Sequence, residues 1–282
     1  MKRLCARCVL YDGMQFALLH RQMPERTLAG FHVDNDGVCS ACRAWERELD
    51  VQLLDADLAM LLMARPPRAV VALSGGKDSL STLVAARLEY GLDVVAVLFD
   101  NTFIPASVKA QAAAVCHGMG VDLVVETAPP AAAENFARSV ETMGPGAELP
   151  CFACSHFLLD VMERTARARG AKYVLLGTNY HASWGSRPRA AGLMKDGQTR
   201  RLHLPFAARH TPSDVERNLA RVGAVPGDMR GHSTNCAVPG LVQVRLAPSL
   251  GHAPEREDLA LEVMSGHLTR GEALATLARK GG

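Results

Sequence analysis

The stretch VVALSGGKDSLSTL, residues 70–83, joins an apolar run to a turn that carries two glycines, a lysine and an aspartate. Glycines between a strand and a helix allow backbone N–H groups to converge on an anion, where the helix dipole adds a favourable potential. Lys77 can reach the phosphates of such a ligand, and Ser74 and Ser79 add hydroxyl donors. Asp78 suits the site only if a divalent cation bridges its carboxylate to pyrophosphate. The turn predicts a pyrophosphate site, with a simple capped strand-to-helix turn as the alternative.

The spacing in this turn differs from the Walker pattern, which needs four residues between its first glycine and the Gly-Lys pair. The turn consists of Ser74, Gly75, Gly76, Lys77, Asp78 and Ser79. This hexad resembles the signature of the PP-loop ATP pyrophosphatases, which have adenine-nucleotide α-hydrolase-like folds. The resemblance implies that ATP with Mg²⁺ adenylates a carbonyl-type oxygen of a substrate and releases pyrophosphate. A nitrogen or sulfur nucleophile then displaces AMP.

The same resemblance assigns two further segments to the nucleotide. The end of the second predicted strand is implied to lie by the adenosine, and the end of a later strand is implied to approach the α-phosphate. The first segment is Leu98, Phe99, Asp100 and Asn101, and the second is Gly177, Thr178 and Asn179. Lys77 and Asp78 are the predicted catalytic residues of the turn.

Four cysteines near the N-terminus form two C-x2-C pairs, Cys5 with Cys8 and Cys39 with Cys42. Two such pairs supply the four soft ligands of a tetrahedral Zn²⁺ ion. A closed tetrathiolate has no open position for a substrate, so its predicted role is structural. Two disulfides or four free thiols are the alternatives.

Both ends of the chain resemble the N-acetyl sugar amidotransferases, PP-loop enzymes of bacterial surface-sugar pathways. The resemblance rests on CARCVL and FHVDNDGVCSAC near the N-terminus and on VMSGHLTRGEALATL near the C-terminus. It implies that ammonia from a separate glutaminase is the nucleophile.

Three more cysteines follow the turn, Cys151 and Cys154 at the start of a predicted helix and Cys236 far downstream. A helix N-terminus lowers thiol pKa values, so the close pair is expected to form thiolates. The trio resembles the one that binds a [4Fe-4S] cluster in the tRNA thiolation branch of the superfamily, and three ligands would leave one iron open. A second zinc site completed by a histidine, a catalytic dithiol with a persulfide on Cys154, a redox disulfide and a structural role are the alternatives.

The elements that must position these residues alternate along the chain from residue 68. The predicted strands are Ala69–Leu73, Asp93–Phe99, Val121–Val125 and Tyr173–Leu176, separated by helices over about 79–90, 106–119, 131–142 and 154–169. Short apolar strands separated by helices predict an α/β fold with a parallel sheet covered by helices on both faces. Ligands of such sheets bind at the carboxyl ends of the strands.

Four parts are predicted along the chain. Residues 1–44 form a zinc-binding module, 45–67 a helical connector, 68–250 the PP-loop ATP pyrophosphatase domain and 251–282 a C-terminal helical tail. Between the strand that ends at Leu176 and the tail, the chain is predicted to be rich in loops, apart from a helix over 212–222.

Composition indicates a globular protein, since 48% of its 282 residues are hydrophobic. With 31 Lys and Arg against 29 Asp and Glu, the net charge of +2 gives no electrostatic case for bulk nucleic-acid binding. The N-terminus lacks the apolar run of a signal peptide, and no stretch is apolar enough to span a membrane. The expected compartment is the cytoplasm, where grouped cysteines more often bind metals than form disulfides.

These observations favour an ATP-dependent sulfur transferase that uses the cysteine trio. An amidotransferase of the sugar type is the first alternative, and a zinc protein that binds an adenine nucleotide without turnover is the second. The predicted substrate is a small molecule or a sugar nucleotide, with a sulfur donor or a glutaminase as partner. A tRNA substrate stays an open alternative, and the superfamily resemblance is compatible with a homodimer.

Overall fold

A six-stranded sheet is the centre of the larger of two units into which the chain divides. The structure is a computed structural model that describes residues 2–14, 31–48, 51–64, 68–143, 150–178, 191–227, 234–253 and 255–280. The larger unit, here called the sheet unit, contains residues 52–179 and 189–242. The smaller unit, here called the cysteine unit, contains residues 1–51, 180–188 and 243–282. The predicted four-part division stays a prediction.

Five strands of the sheet are mutually parallel, and the sixth is an antiparallel edge strand. The strands are β1 (Ala69–Leu73), β2 (Val94–Asp100), β3 (Asp122–Thr127), β4 (Tyr173–Leu176), β5 (Ala191–Leu193) and β6 (Arg200–His203). Their order is β3-β2-β1-β4-β6-β5. The predicted α/β fold with a parallel sheet is confirmed. The prediction of a loop-rich segment after β4 is wrong for β5 and β6.

The helices follow the predicted alternation up to β4. They are α1 (Ser40–Glu48), α2 (Val51–Ala64), α3 (Lys77–Val84) with a π-helical turn at Ala85–Glu89, α4 (Ala106–Gly118), α5 (Pro130–Thr142), α6 (Pro150–Ala168), α7 (Leu204–Ala207), α8 (Pro212–Arg221), α9 (Val238–Leu250), α10 (Glu255–Met264) and α11 (Arg270–Lys280). Both α7 and α9 lie where loops were predicted.

The strand β1 lies in the core of the sheet unit, and all five of its residues are buried. On one face, Val70 and neighbouring strand residues pack with Val161 and Met162 of α6. Helices α3 and α6 both pack against β1. Near-continuous apolar runs such as AVVAL are typical of parallel strands covered on both sides.

The strand order reverses beside β1, because the chain continues from β1 to β2 on one side and returns as β4 on the other. In such sheets the crevice at the carboxyl ends of these strands is the usual ligand position. The turn at 74–79 follows β1, and Gly177 follows β4. A Cβ atom on Gly177 would lie 2.9 Å from both Cα and N of Ser79, so only glycine fits this approach.

In the cysteine unit, an apolar core joins the N-terminal segment to the C-terminal helices. Val9, Leu10 and Phe31 pack in one cluster with Leu259 of α10 and Leu277 of α11. The predicted helical tail consists of two helices, since α10 ends at Met264 and α11 begins at Arg270. The Glu272 carboxylate accepts two hydrogen bonds from Thr269, one from its hydroxyl at 2.6 Å and one from its backbone N–H at 2.9 Å. This Thr-x-x-Glu capping box was present in the sequence.

Substitution of Gly177 by alanine tests the contact between β4 and the turn after β1. Because the added methyl group meets backbone atoms, we expect Gly177→Ala to lower the free energy of unfolding by about 1–3 kcal/mol. Gly118→Ala is the matched control, since a Cβ at Gly118 meets no atom within 4 Å. Urea denaturation of both variants measures the effect, and equal stability of the two would contradict the steric argument.

Candidate active site and metal centre

The turn after β1 is organised by the hydroxyl of Ser79. The backbone N–H of Ser74 donates to Ser79 Oγ at 3.1 Å, and the Ser79 hydroxyl donates to the carbonyl of Gly76 at 3.0 Å. Ser79 is buried, whereas Ser74 is half-buried. Ser79 therefore shapes the turn, and Ser74 is the hydroxyl of the pair nearer to a ligand in solvent.

The two glycines of the turn are required by close neighbours. Gly75 has a φ of +78°, and a Cβ on it would lie 2.6 Å from Cγ1 of Val108. A Cβ on Gly76 would lie 3.0 Å from Oγ1 of Thr234. The turn is thus enclosed by α4 on one side and by the segment before Cys236 on the other.

The charged pair of the turn lies at the mouth of α3. Lys77 Nζ lies 2.8 Å from Oδ1 of Asp78, and each side chain is about one third exposed, at 35% and 31%. An ammonium and a carboxylate that reach solvent at a helix N-terminus are placed to contact phosphate and a bridging cation, respectively.

Thr234 connects this turn to the third cysteine, and no pattern in the sequence predicts this contact. The backbone N–H of Lys77 donates to Thr234 Oγ1 at 2.9 Å, across 157 residues of chain. Cys236 lies two residues after Thr234. The segment that carries Cys236 is therefore fixed against the predicted phosphate site.

The end of β2 contributes two cavity-lining residues, and one of them belongs to a half-buried ion pair. Leu98 is buried in the sheet, so only its backbone can face a ligand. Asp100 accepts a hydrogen bond from the backbone N–H of Thr102 at 2.9 Å and pairs with the ammonium of Lys109. Phe99 and Asp100 both line a small cavity at this edge of the sheet. The adenosine contacts stay a prediction.

Gly177 and Thr178 follow β4 beside the turn, both half-buried, as the nucleotide prediction requires. Asn179 lies outside the described residues. The assignment of these residues to the α-phosphate stays a prediction.

The structure brings the three downstream cysteines together. Nδ2 of Asn101 lies 3.5 Å from Sγ of Cys154 and 3.5 Å from Sγ of Cys236, so the two sulfur atoms are within two hydrogen-bond lengths of each other. Cys151 precedes Cys154 in the first part of α6, which begins at Pro150. Since the two residues are three positions apart, their side chains lie on the same face of α6.

The expectation of lowered thiol pKa values in this site is wrong. Desolvation raises the pKa of Cys151 to about 12, and the neighbouring Cys154 and Cys236 add to the rise, although the residue is exposed. Desolvation also raises the pKa of Cys154, against a lowering by the hydrogen bond from Asn101. Desolvation therefore favours the protonated form of both thiols.

A small cavity opens beside Cys154 at the carboxyl ends of β2 and β3. Its lining combines aromatic rings with a few polar groups. The lining includes Phe99, Phe136, Phe157, Asn101, Thr127 and Cys154. A largely apolar cavity with few polar atoms is typical of a small-molecule site.

The trio is spaced more widely than ligands of a single ion. Among the described residues, the N-terminal cysteines are the one group of Cys, His, Asp or Glu residues whose ligand atoms all lie within 4.8 Å of one another. The three downstream cysteines do not meet this limit. Because a four-iron cluster lies between its ligands, it holds thiolates farther apart than a single ion does. The assignment of the trio to a [4Fe-4S] cluster stays a prediction.

The N-terminal group consists of Cys5, Cys8, Cys39 and Cys42, all buried. Sγ of Cys5 lies 3.9 Å from Sγ of Cys42, and Sγ of Cys8 lies 3.6 Å from Sγ of Cys39. All four cysteines are free, and both distances are well beyond the S–S bond length of about 2.05 Å. A tetrahedral ion with metal–sulfur bonds of about 2.3 Å separates its ligands by about 3.8 Å, so the four cysteines fit one ion.

Backbone groups and one guanidinium support this metal centre. Sγ of Cys5 accepts hydrogen bonds from the backbone N–H of Arg7 at 3.4 Å and of Cys39 at 3.2 Å. Nε of Arg270, the first residue of α11, donates to the carbonyls of Cys5 and Cys8, both at 3.1 Å. The donors offset the negative charge of a tetrathiolate and tie α11 to the metal loop.

Comparison with known proteins gives distant relatives. No model of a known protein family matches the chain. It is 26% identical over 211 residues to an uncharacterized protein of Methanocaldococcus jannaschii, with 74% of this chain and 72% of that protein matched. It is 29% identical over 172 residues to the glutamine-hydrolyzing GMP synthase of Aeropyrum pernix, with 57% of this chain matched. The match spans 32% of the synthase, about one third of its length.

A solved structure of NMN synthetase from Francisella tularensis aligns with 85% of this chain and 92% of its own, with a TM-score of 0.47 and 16% identity. The similarity to GMP synthase, an enzyme of the PP-loop ATP pyrophosphatase superfamily, supports the resemblance predicted from the turn at the level of the superfamily. Separately, among the described residues no helix combines the length and the apolar character that a membrane crossing requires.

Removal of one N-terminal ligand tests the metal centre. We expect Cys5→Ala to lose the ion bound by wild-type protein and to unfold at lower temperature, because metal-binding free energy stabilises the fold of such a site. Cys116→Ala is the control, since Cys116 is a buried cysteine of α4 in the sheet unit. Metal analysis and thermal denaturation with and without a chelator measure both effects. Equal metal content in the two variants would contradict the assignment.

Proposed function

We propose that this chain is an ATP-dependent sulfur transferase that replaces a carbonyl-type oxygen of its substrate with sulfur. The observation that carries the proposal is the connection between two sites. Thr234 bonds to the N–H of Lys77, and Cys236, two residues later, shares the amide of Asn101 with Cys154. A nucleotide site and a thiol site that are joined in this way suit two consecutive steps on one substrate.

In the first step, the residues of the turn bind the pyrophosphate part of ATP. Lys77 contacts the phosphates, and the carboxylate of Asp78 holds the Mg²⁺ ion that neutralises them when bound. The carbonyl oxygen of the substrate attacks the α-phosphorus, and the bond to the β-phosphate oxygen breaks. Pyrophosphate leaves, and the substrate oxygen carries AMP.

In the second step, a sulfide equivalent from a sulfur donor attacks the activated carbon, and the C–O bond to AMP breaks. Cys151, Cys154 and Cys236 would hold a [4Fe-4S] cluster, which when bound supplies an open iron position for the sulfide. The raised pKa values of Cys151 and Cys154 keep these thiols protonated until ligation, so assembly of the centre releases protons.

The cavity beside Cys154 is the proposed position of the acceptor. Its three aromatic side chains favour a small, partly apolar group of the substrate. A sugar nucleotide and a base of tRNA are both compatible with a cavity of this kind. For the N-terminal cysteines we assign Zn²⁺ with a structural role, because all four ligand positions are filled by buried sulfur.

An amidotransferase is the second candidate, favoured by the similarity to a glutamine-hydrolyzing GMP synthase and by the resemblance of both termini to N-acetyl sugar amidotransferases. In this case ammonia from a separate glutaminase replaces the sulfide, and the first step is unchanged. The cysteine trio would then need a different task, which makes this candidate the weaker one.

Substitution of Lys77 tests the first step. With ATP, sulfide and fractionated small-molecule and tRNA pools as acceptors, we expect wild-type protein to form AMP and pyrophosphate. Lys77→Ala or Asp78→Ala should reduce pyrophosphate release about 100-fold or more, because each removes a charge that acts on the transferring phosphates. Lys172→Ala, at an exposed lysine before β4, is the matched control.

The products separate the candidates. Sulfur in the acceptor, detected by mass spectrometry, supports the sulfur transferase, and nitrogen from ammonia supports the amidotransferase. Nucleotide binding without pyrophosphate from any acceptor pool would favour a non-catalytic nucleotide-binding protein. Unchanged turnover in Lys77→Ala would overturn the ATP site itself.

A further inference from the structure

Asn101 joins two cysteines that are far apart in sequence. Its side-chain nitrogen contacts Cys154, 53 residues away, and Cys236, 135 residues away. A carboxamide NH₂ group carries two protons, so each sulfur can accept one of them. A single neutral side chain therefore supplies a donor to both sulfur atoms.

The orientation of this carboxamide is fixed by a third hydrogen bond. Oδ1 of Asn101 accepts the backbone N–H of Phe103 at 3.0 Å. A backbone N–H can only donate, so the oxygen must face Phe103 and the NH₂ group must face the two sulfurs. The hydrogen bond from Phe103 therefore assigns the NH₂ group of Asn101 to the side that faces the sulfurs.

The loop that carries Asn101 also holds the segment of Cys236. The carbonyl of Phe103 accepts the backbone N–H of Ala237 at 3.1 Å. Thr102, between Asn101 and Phe103, has a φ of +70°, which is costly for a β-branched residue and is stabilised here by a hydrogen bond from its N–H to Asp100. The strained turn directs the side chain of Asn101 toward the cysteines.

We infer that Asn101 is the positioning residue of the cysteine site, and that its NH₂ group holds the sulfurs of Cys154 and Cys236 and donates to them as thiolates. This role goes beyond the adenosine contact implied for Asn101 by its position after β2. For the cluster, it rests on the proposed function, because hydrogen bonds to ligand sulfur raise the reduction potential of an iron–sulfur centre.

Asn101→Asp is the informative substitution. Aspartate keeps the size of the side chain and the acceptor for Phe103 N–H, but it removes both donors and places a negative charge beside two sulfurs. Asn135→Asp makes the same chemical change at an exposed position of α5 and serves as the matched control.

The first measurement is the reduction potential of the reconstituted cluster under anaerobic conditions. We expect Asn101→Asp to give a more negative potential than wild type, and Asn135→Asp to match wild type. Zinc content and thermal unfolding should be unchanged in both variants. A wild-type potential in Asn101→Asp at full iron occupancy would overturn the inference.

The second measurement does not need the cluster. In iron-free protein at one fixed neutral pH, iodoacetamide labels the thiolate form of Cys154, and mass spectrometry follows the rate. We expect labelling to be about threefold slower in Asn101→Asp than in Asn135→Asp, because aspartate supplies no donor to the sulfur of Cys154 and the reactive form of that thiol is less populated. Equal rates in Asn101→Asp and Asn135→Asp would overturn the inference. If wild-type protein binds no iron but the two variants still differ in labelling rate, the cluster is refuted and the role of Asn101 is retained.

Discussion

The site depends on the parallel register of β1 with its two neighbours. Leu73 pairs with Leu98 of β2, and Val71 pairs with Leu175 of β4, so the three strands end at the same edge of the sheet. The turn at 74–79, Asn101 and Gly177 all follow directly from these ends. A slip of register would move each of them by about 3.3 Å per residue and reverse which side chains are buried. The contact of Gly177 with the backbone of Ser79 fixes how closely two of these ends approach.

The two groups of cysteines differ in ways that predict different roles. The N-terminal four are buried, lie within 4.8 Å of one another and accept backbone hydrogen bonds, which describes a closed centre. The downstream trio is more open, is spaced more widely and lines a cavity through Cys154. Closed centres stabilise a fold, whereas open ones leave room for an exogenous ligand. The position of Cys236 beside Thr234 places the open group next to the turn.

Much of the sheet unit could be predicted from sequence, because its strands are continuous apolar runs and the glycine turn is local. The strand β6 could not, since RRLH has no apolar run and becomes a strand through its pairing with β4 and β5. The raised pKa of Cys151 was missed because desolvation depends on tertiary packing. Asn101 and Thr234 were missed as partners of the thiol site and the turn because their contacts span 53 to 157 residues. The start of α11, in contrast, could be predicted from the capping pair Thr269 and Glu272.

The central claim is that one site combines ATP activation with a cluster held by three cysteines. The most direct test is the content of iron, acid-labile sulfide and zinc in protein purified without oxygen, with Cys236→Ser measured beside wild type. We predict about four iron, about four sulfide and about one zinc per wild-type chain, and loss of iron with retention of zinc in Cys236→Ser. Zinc without iron in wild-type protein, even after reconstitution with iron and sulfide, would contradict the account.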